Sequence, residues 1–207
     1  MKDSLIIVGC FVLGVIVAIC GLLPEGFVPG DYTEYLLYLL LICVGIAIGM
    51  DESFIPSLKG QRAHHLLMPL LTVLGTLAGC LLAFCVMLLI YREPPVSALD
   101  TVAAGAGYGY YSLSSIMLDK ARGAQLGTIA LAANLFRELI TLLAAPLIRK
   151  WFGPYALISS GGATSMDTTM GVIVKQCGSA YAPVSLYHGI ILSIAVPFIV
   201  TLIISLY

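Results

Sequence analysis

The sequence has little charge. Only 10% of its 207 residues are charged, against about 25% in a typical soluble domain, while 60% are hydrophobic and the mean hydropathy is +1.04. No soluble fold of this size could bury so much apolar surface, so the composition predicts an all-α integral membrane protein surrounded by a lipid bilayer. The formal net charge of −1 argues against a nucleic-acid partner.

Paired cysteine motifs are also missing. The chain has six cysteines and none forms a C-x-x-C pair; five lie within apolar runs and Cys177 lies at the edge of one. Such residues are typical of small apolar positions in membrane helices. We therefore expect neither a disulfide framework nor a metal site, and the sequence indicates no cofactor.

Long apolar runs take the place of the missing charge. Seven segments are predicted in one membrane domain of residues 1–207, two of them within residues 1–50 and five within residues 66–207, each close to the ~20 residues that cross a bilayer. They are Ser4–Leu23, Thr33–Met50, Leu66–Tyr91, Ala98–Leu118, Ala124–Ile148, Tyr155–Val174 and Pro183–Leu206. With the N-terminus inside, the basic residues on the inner side include Lys120 and Lys175, and Arg149 lies outside.

The fifth segment carries polar residues where lipid opposes them. Asn134, Arg137 and Glu138 lie in the middle of Ala124–Ile148, and a charge at that depth costs at least about 2.5–3.5 kcal/mol. Asn134 and Glu138 are four residues apart and share one helix face, whereas Arg137 points toward a neighbouring segment or the headgroup edge. The pattern predicts a polar site centred on Glu138; a structural ion pair is the alternative.

The sixth segment is predicted to break at Ser159–Thr169, SSGGATSMDTT, which is dense in glycine and hydroxyl groups. We expect a half-helix ending near Ser160, an unwound Gly161–Ala163, and a second half-helix starting near residues 164–165, capped by Thr164 and Asp167. The positive end of that half-helix suits a carboxylate, whereas a packing kink is the alternative. The candidate site residues are Gly161, Gly162, Thr164, Ser165 and Asp167.

The fourth segment holds a second predicted break, GAGYGYYSLSS at Gly105–Ser115. Three glycines in five residues lower its helix propensity by roughly 2–3 kcal/mol. Tyr108, Tyr110, Tyr111 and Ser112 offer hydroxyl groups and ring faces to a cation, and tight helix packing is the alternative. Broken helices persist in a bilayer where they line a cavity, and transporters use them to bind substrates.

The sequence lacks the usual patterns of enzyme chemistry. His188 with Ser165 could make an intramembrane hydrolase, but there is no G-x-S-x-G elbow, and a helix cap explains Ser165 better. Asp167 does not stand in the G-x-G-D context of an intramembrane aspartyl protease. We therefore expect a transporter and not an enzyme, with an ion channel or a non-transporting structural membrane subunit as alternatives.

Three motifs occur in a fixed order: GAGYGYYSLSS, then N-L-x-R-E at Asn134–Glu138, then GGATSMDTT. Over roughly Asp51 to Tyr207 they resemble the LysO-type lysine exporters, a family similar to the wider cation/proton antiporter and bile-acid transporter group. The resemblance implies an inverted-repeat fold with broken, crossing helices. It also implies export of L-lysine and its analogue thialysine across the bacterial inner membrane, with Glu138 as a functional acid.

The resemblance suggests a mechanism and a partner. Lysine's carboxylate would dock on the turn at Gly161–Ser165, and an ammonium group would pair with Glu138, assisted by Asn134 and Asp167. A proton would return on Glu138, with Asp167 as a second proton-coupling residue, so that export runs by proton antiport. Family members often carry about three further helices ahead of the region matching Ser4. We expect a small membrane subunit to supply that part, or a homodimer, or both.

Overall fold

The computed structural model of the chain describes residues 63–91 and 94–207, together with scattered positions between residues 12 and 50. In this part of the chain the regular elements are all helices and none is a strand. The all-α class is therefore confirmed for the described residues. The two helices predicted within residues 1–50 fall almost entirely outside the described ranges.

Eight α-helices and two short 3-10 turns make up the described ranges. The helices are α1 (Ala63–Leu66), α2 (Met68–Ile90), α3 (Ala98–Gly105), α4 (Tyr111–Arg122), α5 (Ala124–Phe152), α6 (Pro154–Gly161), α7 (Met170–Cys177) and α8 (Ala182–Ile204). The 3-10 turns are Gly162–Met166 and Ser179–Tyr181.

Three of the described helices are long and apolar enough to cross a membrane: α2, α5, and α8 together with the turn before it, Ser179–Ile204. Helix α2 is apolar all round, and side chains such as Leu82 and Leu89 are 67% and 88% exposed. A helix of this kind needs an apolar solvent. These helices match the third, fifth and seventh predicted segments and support a membrane protein.

The fourth predicted segment folds back on itself. Ser97 begins α3 as a cap: its hydroxyl accepts a hydrogen bond from the Asp100 amide at 3.0 Å, and the Asp100 carboxylate accepts one from the Ser97 amide at 3.1 Å. The Arg122 guanidinium, at the end of α4, lies 3.7 Å from Asp100. A continuous helix would separate residues 100 and 122 by ~33 Å. Helices α3 and α4 therefore form a hairpin, here named the first hairpin (residues 98–122).

The chain beyond α8 packs against the open end of the first hairpin. The Tyr207 hydroxyl donates a hydrogen bond to Asp100 at 2.8 Å, and the Arg122 guanidinium lies 4.1 Å from the centre of the Tyr207 ring. Partial burial and this hydrogen bond raise the pKa of Tyr207 to about 12, so its hydroxyl remains a donor at neutral pH. The C-terminal end of α8 therefore lies on the same side as both ends of the first hairpin.

The sixth predicted segment folds back in the same way. The ring of Tyr155, at the start of α6, lies 5.7 Å from the ring of Tyr181, which follows α7, although a straight helix would place them ~39 Å apart. Leu157 of α6 and Ile173 of α7 share one buried cluster. Helices α6 and α7 form the second hairpin (residues 154–177). Because the 29 residues of α5 carry the chain ~43 Å between the hairpins, the two open on opposite sides.

The prediction that the two broken segments cross the bilayer is therefore wrong. Each segment enters and leaves on one side, because its tip contains a glycine with positive φ, Gly109 at +94° and Gly162 at +63°, where the chain can reverse. The predicted sidedness changes with it: Lys120 near the end of α4 and Lys175 near the end of α7 lie on opposite sides. Lys175 shares its side with Arg149, near the end of α5.

The described helices contain a pattern of one long helix followed by one hairpin, repeated once in the opposite direction. Helix α2 precedes the first hairpin, and α5 precedes the second. The count of seven spans falls with the two broken segments, whereas the inverted-repeat topology and its division into two repeats stay predictions, since most of residues 1–62 is outside the described ranges.

The second half-helix of the sixth segment begins later than predicted. Helix α6 ends at Gly161, one residue beyond the expected end, but α7 begins only at Met170. The predicted cap does not form: the Thr164 hydroxyl donates to the Gly161 carbonyl at 2.8 Å, and α7 has no side-chain cap. Local bonds of this kind compete with helix formation, which explains the delay.

Candidate functional site

The tips of the two hairpins meet in the interior. The Ala163 amide of the second tip donates a hydrogen bond to the Tyr108 carbonyl of the first at 2.8 Å. A Cβ atom on Gly162 would lie 2.0 Å from the same carbonyl oxygen, so only glycine permits this approach. The contact joins main-chain atoms of two breaks that lipid could not satisfy.

Asn134 of α5 holds the first tip. Its side-chain oxygen accepts a hydrogen bond from the Gly109 amide, and its side-chain nitrogen donates to the Ala104 and Ala130 carbonyls, all at 2.8 Å. The side chain is only 2% exposed. Asn134 therefore satisfies backbone groups that the break between α3 and α4 leaves without helical partners.

Arg137, one turn further along α5, holds the second hairpin. Its Nε donates to the Ser160 carbonyl at 2.9 Å and its Nη2 to the Ser159 carbonyl at 2.8 Å, while Nη1 donates to the Thr76 hydroxyl of α2 at 3.1 Å. These carbonyls belong to the last turn of α6, which carries a partial negative charge. Arg137 therefore orients a neighbouring segment, one of its two predicted roles, as a cap on α6.

Glu138 lies beside these two residues and lines a cavity. The carboxylate side chain is only 1% exposed, and the cavity, of about 190 Å³, lies where the two tips meet. Its lining residues are Gly109, Tyr110, Tyr111, Ser112, Glu138, Ala163, Thr164, Met166, Asp167, Thr168 and Ser193. A buried carboxylate that lines a cavity is the arrangement expected of a site for a cationic ligand.

About half of the predicted site residues line this cavity. They are Tyr110, Tyr111, Ser112, Glu138, Thr164 and Asp167. The others do not, and they are Tyr108, Asn134, Gly161, Gly162 and Ser165. Asn134, Gly162 and Tyr108 instead make the contacts that hold the tips together.

Ser165 and His188 do lie together, as the hydrolase alternative requires, but away from the cavity. The Ser165 hydroxyl lies 3.0 Å from His188 Nδ1 and also donates to the Ser185 carbonyl at 3.0 Å. The other ring nitrogen of His188 lies 2.9 Å from the Thr72 hydroxyl, where a triad would place a carboxylate. Both Ser165 and His188 have 0% exposure. This geometry describes a buried polar link, so the interpretation of Ser165 as a cap is also wrong.

Sequence reasoning missed several cavity residues and the full role of Arg137. Met166, Thr168 and Ser193 line the cavity but were not predicted as site residues. Met166 and Thr168 fall inside the predicted break at Ser159–Thr169, and that position was the available signal. Ser193 lies on α8, which carries no break at that point and gave no signal.

Comparison with known proteins places the chain in a family. The family model described as "Lysine exporter LysO" matches residues 8–204, nearly the whole chain. The chain belongs to the lysine exporter LysO family. This confirms the resemblance on which the expectation of amino-acid transport was based.

Two curated relatives agree with the family assignment. The lysine exporter LysO of Escherichia coli is 31% identical over 194 residues, which cover 88% of this chain and 62% of that protein. A Haemophilus influenzae protein provisionally described as a lysine exporter is 27% identical over 169 residues, 82% of each chain. The chain thus spans about three-fifths of the length of its Escherichia coli relative. No solved structure gives a significant match.

Proposed function

We propose that this chain forms the substrate-carrying core of a secondary transporter that exports L-lysine, and its analogue thialysine, across the bacterial inner membrane. The observation that carries the proposal is the position of Glu138, which is 1% exposed yet lines a cavity between two hairpin tips. The names of the relatives supply the substrate. An acid kept at this depth needs a cationic partner or a proton for part of the cycle.

In this proposal Glu138 and Asp167 bind the ammonium groups of lysine. Both line the cavity, Glu138 from α5 and Asp167 from the second tip. Tyr111, Ser112 and Thr164 offer hydroxyl groups from both hairpins. Because the two acids come from different elements, a bound dication would hold α5 and the second hairpin together.

Proton antiport follows because the acids need a positive partner after the substrate has left. After lysine leaves, a carboxylate in an apolar cavity is costly, so a proton takes the place of the substrate on Glu138, and Asp167 takes part in the same exchange. The empty carrier would then return in the neutral state. Inward proton flow would thereby drive outward movement of lysine.

The experiment is uptake of labelled lysine into inverted membrane vesicles with an imposed proton gradient. We expect Glu138→Gln to abolish gradient-driven uptake, because an amide neither titrates nor pairs with an ammonium group. Gradient-driven uptake at the wild-type rate would contradict the role of Glu138. A channel would instead conduct far faster than a carrier, and a structural subunit would tolerate Glu138→Ala.

A further inference from the structure

The cavity contains two acids and, among the described residues, no basic one. In the part of the chain that the structure describes, Glu138 and Asp167 are its only charged lining residues, and the others are neutral or apolar. Arg137 lies next to Glu138 in sequence, but its three guanidinium nitrogens donate to the Ser159, Ser160 and Thr76 oxygens. A ligand carboxylate in this cavity would therefore meet two like charges and no described cation.

The turn at Gly161–Ser165, which the sequence suggested as a carboxylate site, reaches the cavity through Ala163 and Thr164. Donors of both residues are engaged within the protein: the Ala163 amide donates to the Tyr108 carbonyl and the Thr164 hydroxyl to the Gly161 carbonyl, both at 2.8 Å. Gly161, Gly162 and Ser165 do not line the cavity, and Gly162 is pressed against that same carbonyl. The helix that follows the turn begins only at Met170, so its positive end is not at this turn.

We infer that the site reads the two ammonium groups of its substrate and not the carboxylate, and that linear α,ω-diamines as long as lysine are therefore carried as well. This inference rests on the proposed lysine site. A diamine places one positive charge on each of Glu138 and Asp167 and brings no negative charge into the cavity. The volume of about 190 Å³ is below the roughly 300–1,000 Å³ of drug-sized sites, which suits a small linear ligand.

Three lysine analogues distinguish the contribution of the two ammonium groups from that of the carboxylate. Full-length protein in inverted vesicles takes up labelled lysine in the presence of 1,5-diaminopentane, L-lysinamide or 6-aminohexanoate. We expect the first two, which keep both ammonium groups, to compete within about threefold of unlabelled lysine. 6-Aminohexanoate keeps the carboxylate but lacks the α-ammonium group, so we expect it to compete at least tenfold more weakly, since only one of the two acids then meets an ammonium group. The opposite order would overturn the inference.

Direct uptake of labelled 1,5-diaminopentane makes the result independent of lysine. Vesicles with the Glu138→Gln protein are the matched control for diamine leakage. No diamine uptake above this control would overturn the inference, even where lysine is carried. Diamine uptake without lysine uptake would support the inference and contradict lysine as the proposed substrate.

Discussion

The backbone groups exposed at the breaks of the two hairpins are hydrogen-bonded by different side chains of α5. The break at the first tip leaves both a donor, the Gly109 amide, and an acceptor, the Ala104 carbonyl, and Asn134 provides the matching acceptor and donor. The end of α6 leaves two acceptors, the Ser159 and Ser160 carbonyls, and Arg137 provides donors only. The side chain that closes a break inside a membrane thus follows from the backbone groups that the break exposes.

The hairpins also differ in the kind of residue that they bring to the cavity. The first tip is buried, with Tyr108 at 0% exposure, and a Cβ on Gly107 would lie 2.4 Å from the Ser114 hydroxyl. The first hairpin still lines the cavity with neutral residues, Gly109, Tyr110, Tyr111 and Ser112, whereas the second adds the carboxylate of Asp167. Among the described residues, the two hairpins therefore differ in the charge that they bring to the cavity wall.

Replacing Arg137 should have the largest effect. In Arg137→Leu the Ser159 and Ser160 carbonyls lose their side-chain donors, at about 1–3 kcal/mol each. We expect a lower melting temperature in detergent and a smaller monodisperse fraction on size-exclusion chromatography. Arg137→Lys should recover part of the loss, because lysine keeps the positive charge but lacks the several planar N–H donors of the guanidinium group. Lys150→Leu, at an exposed position of the same helix, is the control. An Arg137→Leu protein as stable as the wild type would refute the cap.

Gly162→Ala should come next. The new Cβ would lie 2.0 Å from the Tyr108 carbonyl oxygen, at a residue with φ of +63°, and the backbone strain alone costs about 1–3 kcal/mol. We expect loss of stability and of lysine uptake. The control is Gly171→Ala in α7, where a Cβ meets nothing within 4 Å, so that up to ~1 kcal/mol of helix stability is gained. Equal melting temperatures for the two variants would argue against close contact of the tips.

Asn134→Ala tests whether Asn134 supports the fold or binds the ligand. Of the three substitutions that remove a contact at the tips, it should cause the smallest loss of stability. It leaves the Gly109 amide and the Ala104 carbonyl without this partner, and we expect a cost of about 1–3 kcal/mol from neutral hydrogen bonds. Lysine affinity of the folded fraction should stay within about threefold of the wild type. Asp167→Asn is the matched opposite, since it should weaken lysine binding while the melting temperature changes little. Equal losses of lysine affinity in the two variants would indicate that Asn134 contacts lysine after all.

The spanning helices and both breaks were predictable, because apolar length and clustered glycine act locally. The reversal of the chain at each break was not, since glycine at residues 109 and 162 permits a turn but does not set its direction. Asn134 and Glu138 share a helix face, and the sequence assigned both to one site. That face meets a hairpin tip at residue 134 and the cavity at residue 138, a difference that only tertiary packing decides.

The hydrogen bond between the two tips has a consequence for which substitutions at the tips preserve it. The Ala163 amide and the Tyr108 carbonyl are main-chain groups, so neither side chain forms the link itself, although both side chains are buried. Only proline at position 163 would delete the donor, because it has no amide hydrogen. The joint between the two tips is therefore made by main-chain atoms and requires glycine at position 162, whereas the cavity wall around it includes the side chains of Glu138 and Asp167.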